Sequence, residues 1–120
     1  MNTKLQEAMG TCFVEADPER IIVRCEQDAV DLVAICGGQD TQKLLLYAVN
    51  LTDEFFDLKA RLAGQVLQKL ANYNIQMAAV LPLELWQQGR FRELANESNR
   101  NRHFGIFQTR DEAVAWLMND

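Results

Sequence analysis

The chain is poor in the residues that mark most catalytic centres. It has one serine, Ser98, and one histidine, His103. Ser98 sits in no G-x-S-x-G elbow, and no P-loop, G-x-G-x-x-G or H-E-x-x-H run occurs. His103 has no Cys or His neighbour at ligand spacing, which argues against zinc. The cysteines are Cys12, Cys25 and Cys36, an odd number with no C-x-x-C pair. Cys25 and Cys36 flank a predicted helix, roughly 16 Å apart, too far for a disulfide that needs Cα atoms within about 7 Å. They read as small buried hydrophobes. No cofactor or metal is called for. The longest apolar run, about Met77 to Leu83, is far too short to span a bilayer. The first ten residues carry one Lys and no apolar stretch, so a cytoplasmic location is expected. A formal net charge of -5 argues against general nucleic-acid binding, because phosphate backbones repel an acidic domain.

What is present is an alternation of apolar runs and amphipathic stretches over 120 residues, enough for one domain with its own core. Thr11–Ala16 and Arg20–Arg24 read as strands joined by a turn at Asp17–Glu19, hence an antiparallel hairpin. Glu26–Cys36 reads as a helix with Ala29, Leu32, Val33 and Cys36 on one face, stopped by Gly37-Gly38. Lys43–Val49 and Ile75–Leu81 are near-continuous apolar runs, the mark of strands covered on both faces. Between them, Leu58, Leu62, Val66 and Leu70 recur every four residues, predicting a helix from about Leu58 to Asn72. Leu83–Arg100 reads as helical with a break at Gly89, and His103–Gln108 as a short strand. Thr109 and Glu112 form a capping box that opens a last helix with Ala113, Trp116 and Leu117 inward. The order β-β-α-β-α-β-α-β-α predicts a single α/β domain over residues 1–120. Its N-terminal hairpin joins a mostly parallel sheet flanked by helices. The runs around residues 46 and 78 should lie side by side at its centre.

The segments "FFDLKARLAGQVLQKLANYNIQMAAVL" and "GRFRELANESNRNRHFGIFQTRDEAVAWL" resemble an uncharacterised bacterial family, domain of unknown function 4180, from about Leu44 to the C-terminal end. That family carries no activity to transfer. A more distant likeness is to STAS domains, the anti-sigma-factor-antagonist fold. There a buried strand enters a helix through an Asp-Ser-Ser-Gly-like corner whose phosphorylation controls partner binding. The matching corner here, Asp57-Leu58-Lys59, has no hydroxyl, and Thr52 lies five residues upstream. The likeness implies a layout and a regulatory role without that switch.

Three groups of residues are candidates for function. Asp57 reads first as the N-cap of the following helix. With Lys59 it would also form a polar pair at the carboxyl edge of the sheet, where open α/β folds collect ligands. Arg90, Arg92, Arg100 and Arg102 are four of twelve basic residues. Helical pairing with Glu93 and Glu97 explains much of that cluster. Arg100 and Arg102 beside His103 are nevertheless suited to a carboxylate or phosphate. Phe55, Phe56, Trp86 and Trp116 exceed what the helix stripes need, and Phe55, Phe56 and Trp86 are candidate interface anchors. The expected function is a non-catalytic regulatory domain that binds a protein partner or itself, with no nucleic acid and no membrane. The alternative is a small-anion-binding domain or enzyme using Asp57, Lys59, Arg100, Arg102 and His103.

Overall fold

A computed structural model of the chain describes residues 3–57, 61–82 and 103–119. Within them lies a five-stranded sheet in sequential order, β1-β2-β3-β4-β5. The strands are β1 (Thr3–Ala8), β2 (Thr11–Ala16), β3 (Lys43–Tyr47), β4 (Gln76–Val80) and β5 (Phe104–Phe107). The helices are α1 (Glu26–Gly38), α2 (Asp53–Phe56), α3 (Leu62–Asn72) and α4 (Arg110–Met118). Strand β1 is antiparallel to β2, and all other neighbours are parallel. No helix among the described residues is long and apolar enough to cross a membrane.

The two central runs meet the sequence expectation. Leu44, Leu45 and Leu46 pair with Met77, Ala78 and Ala79, and all six are fully buried. Alternation sends Leu44, Leu46, Met77 and Ala79 to one face, under α1 and α3, and Leu45 and Ala78 to the other, under α4. Helix α3 buries Leu62, Ala63, Val66, Leu67 and Leu70, the stripe legible in the sequence. Helix α4 opens as predicted: the Thr109 hydroxyl accepts from Glu112 N at 3.2 Å. The predicted helix within Leu83–Arg100 lies outside the described residues.

The N-terminal hairpin is not the one the sequence suggested. It is built from β1 and β2 around Met9-Gly10, both with positive φ (51° and 80°). Two such residues define the tight turn whose twist suits a hairpin. Arg20–Arg24 forms no strand: only Val23 makes an isolated bridge, to Leu51. Ile22 and Val23 are buried, which explains the apolar run. Their N–H groups both donate to Asn50 O, at 2.9 and 2.8 Å, so the segment is a loop clipped over the core. "TKLQEA" had carried no strand signal because it is a polar edge strand. Two helix boundaries also differ. Helix α1 runs through Gly37 and Gly38, and the left-handed residue after it is Asp40 (φ 56°). The described part of α3 begins at Leu62, with Arg61 at its N-cap in the left-handed region (φ 63°).

Candidate functional site

The carboxyl ends of β2 and β3 converge beneath two loops, Asp17–Arg24 and Ala48–Thr52. One fully buried side chain joins them. The Asn50 amide donates from Nδ2 to Asp17 O at 2.6 Å and to Arg20 O at 2.7 Å, and its Oδ1 accepts from Tyr47 N at 2.7 Å. A buried polar group must find such partners or carry a desolvation cost. Asn50 finds three and closes this part of the carboxyl edge.

The two described candidate residues, Asp57 and His103, do not come together there. Asp57 is exposed and takes the C-cap position of the four-residue α2. It is not the N-cap of α3, because that helix begins after Arg61. His103 lies at the opposite, amino edge: it precedes β5, and its carbonyl accepts from Met77 N at 2.8 Å. Its Nδ1 is buried without a hydrogen-bond partner. Lys59, Arg100, Arg102 and Trp86 lie outside the described residues. Phe55 is fully buried in the core between sheet, α1 and α3, and Phe56 is half-buried with its ring edge-on to Phe55 at 5.6 Å. Phe55 is thus packed within the chain's own core. Trp116 is half-buried against Phe107, ring centroids 5.6 Å apart.

The best-defined charged cluster was not anticipated. Glu15 on β2 accepts from Arg110 at both carboxylate oxygens, Nε at 2.9 Å and a terminal nitrogen at 3.1 Å. The Tyr47 hydroxyl donates to the same carboxylate. The Arg110 guanidinium also lies 5.9 Å above the Phe13 ring, within cation–π range. Three signals were available: Phe13 and Glu15 alternate onto one face, Tyr47 ends the buried run of β3, and the Thr109 cap puts Arg110 at the first position of α4. The register of β2 against β3 and the packing of α4 on that face bring them together, and composition encodes neither.

The cluster is a clasp and not a reactive centre. Burial pushes the Glu15 carboxyl up, but hydrogen bonds from Arg110 and Tyr47 and the guanidinium charge hold it below its ordinary range. Burial, then the bond to Glu15, raises Tyr47 to about 12. A neutral phenol donating to an ionised, doubly bound carboxylate leaves neither group poised as a general base.

This arrangement fixes a pH profile. Glu15 stabilises the fold fully above the unfolded carboxylate value of about 4.3. That contribution is lost as pH falls through its lower folded value. Tyr47 and Cys36 have raised values, about 12 and about 11, from ordinary values of 10.0 and 9.0. Their contributions are full below the ordinary values and are lost as pH rises toward the raised ones. Melting temperature measured against pH should form a plateau between about pH 5 and 9. The gap between the parent and Glu15→Gln should narrow as pH drops below that plateau. A constant gap would show that Glu15 does not titrate as the clasp requires.

Surface hollows lie among the described residues at three places. One of about 380 Å³ adjoins the clasp and is lined by Lys4, Gln6, Glu15, Asp17 and Pro18 among others. One of about 570 Å³ lies over the outer face of α3, by Arg61, Gln65, Gln68 and Lys69. The third, about 500 Å³, is at the amino edge by Cys12, Thr41, Lys43 and Gln76. None is lined by Asp57 or His103. Among the described residues no three His, Cys, Asp or Glu side chains are grouped to hold a metal ion. Cys12, Cys25 and Cys36 are free thiols.

Residues 9–117 match the family DUF4180, a domain of unknown function. The chain belongs to that family. The match covers β2 and the loops ahead of β3 as well as the region from Leu44 onward, so the DUF4180 unit includes the Asn50 clip and all three clasp residues. No curated protein and no solved structure matches the chain.

Proposed function

We propose that this DUF4180 chain is a non-catalytic regulatory domain that acts by binding protein, in a layout like that of STAS domains but without their phosphorylatable corner. The observation that carries this reading is a contrast between two edges. The carboxyl edge, where open α/β sheets usually receive ligands, is closed over β2 and β3 by Asn50. Among the described residues the outer edge of β1 has no neighbouring strand. The clasp supports the same reading, because its groups are occupied with one another. Thr52, the hydroxyl nearest the STAS-like corner, has its Oγ1 buried, where a kinase would not reach it.

The competing small-anion reading makes a different thermal prediction. A ligand at a hundred times its Kd stabilises the native state by about 2.7 kcal/mol, a shift of several degrees. Thermal-shift titrations with phosphate, sulfate, dicarboxylates and nucleotides up to millimolar levels should leave the melting temperature within about 1 °C of the free protein. A saturable rise of several degrees, abolished by Arg100→Ala with Arg102→Ala, would replace the protein-binding reading with the anion-binding one.

A further inference from the structure

The two faces of the sheet are covered unequally. The layer under α1 and α3 is the larger, and it draws buried residues from every helix except α4. The layer under α4 holds, among the described residues, Phe13, Leu45 and Ala78 from the sheet and Ala113 and Leu117 from the helix. Take α4 away and the larger layer loses none of its members. Helix α4 has nine residues. Isolated helices shorter than about 12 residues are marginal in water, so α4 keeps its shape through docking.

Its attachment has a joint and a fastener. Between β5 and α4 stand Gln108 and Thr109. Thr109 travels with the helix, because its hydroxyl and carbonyl accept from Glu112 N and Ala113 N. Strand β5 stays behind, held to β4 by its ladder and by the bond from Leu81 N to Phe107 O. Swinging α4 outward at Gln108 therefore breaks no strand pairing. The fastener is the clasp: Arg110, in the first turn, grips Glu15 and lies over Phe13.

We propose that α4 is a hinged strap that opens as one unit about Gln108 while the sheet and its α1–α3 layer stay folded, with the Glu15–Arg110 clasp setting how often it opens. Opening parts Trp116 from Phe107 and bares Phe13, Leu45 and Ala78 across β2, β3 and β4. Proteins open locally in such cooperative units, and the elements with few buried apolar contacts open most readily. Helix α4 fully buries Ala113 and Leu117, whereas α3 buries Leu62, Ala63, Val66, Leu67 and Leu70. The device goes beyond the protein-binding reading and stands whatever partner the domain takes.

Amide exchange of the full chain at neutral pH, in denaturant below the unfolding transition, tests this. The amides of residues 113–117 should share one protection factor, at least about tenfold below that of Leu45 and Ala78. Their protection should also fall less steeply with denaturant, because a strap exposes less surface than the whole domain. Val66→Ala weakens the layer that stays closed. It should speed exchange at Leu45 and Ala78 by about tenfold and leave residues 113–117 unchanged. Glu15→Gln loosens the fastener and should speed exchange throughout α4. Equal protection and equal slopes in α4 and the central strands overturn the proposal, because α4 then opens only with the whole domain. So does an equal acceleration of both by Val66→Ala. Protection graded inward from the helix ends overturns it as simple fraying, and α4 exchange unmoved by Glu15→Gln overturns it by removing the clasp. Should Val66→Ala fail to fold, the slopes in the parent chain decide alone.

Discussion

Asn50→Asp should be the most damaging isosteric change available in this domain. The side chain keeps its size, but both Nδ2 donors are lost, and Asp17 O and Arg20 O then face a carboxylate oxygen at the former 2.6 and 2.7 Å. Position 50 is fully buried, so the charge cannot turn to water. An uncompensated buried charge costs about 3–5 kcal/mol. In a domain of this size that corresponds to a fall in melting temperature of more than about 10 °C. Asn50→Ala should cost less, because it removes three hydrogen bonds but introduces no charge. Thermal denaturation at neutral pH checks both. If Asn50→Asp melted within about 2 °C of the parent, the clip would not be what holds the two loops together.

Phe55→Ala should be of similar size for a different reason. Phe55 is fully buried in the larger of the two apolar clusters, with Leu51, Leu62 and Val66 among its members. Removing a buried phenyl ring costs about 3–5 kcal/mol through lost transfer energy and the cavity left behind. Phe56→Ala should cost clearly less, because that ring is already half in solvent. Denaturant titration of the two variants measures the difference. Equal losses would mean that Phe55 does not fill the gap between sheet and helices. A loss of self-association with unchanged stability would return Phe55 to the interface role its sequence context suggested.

The sequence was most legible where periodicity and burial coincide. The runs around residues 46 and 78, the α3 stripe and the Thr109 cap each follow from local pattern, and each is present. It was least legible where a segment's burial and its hydrogen bonding diverge. Ile21-Ile22-Val23 has a strand's composition, but its backbone bonds go to Asn50 and not to a ladder. "TKLQEA" has a loop's composition, yet forms a strand because the Met9-Gly10 turn folds it onto β2. Of the candidate site only Asp57 and His103 lie among the described residues, and topology separates them. His103 and Asp57 stand on opposite edges of the sheet because one precedes its strand and the other follows its own. The clasp was missed because its members are 32 and 95 positions apart along the chain.

That last separation bears on how the molecule is made. Helix α4 is the last described element in chain order, and among the described residues its Ala113 and Leu117 cover the row Phe13, Leu45 and Ala78. A domain folds as a unit, so this face receives Ala113 and Leu117, and Glu15 its Arg110 partner, only after nearly the whole chain has been made.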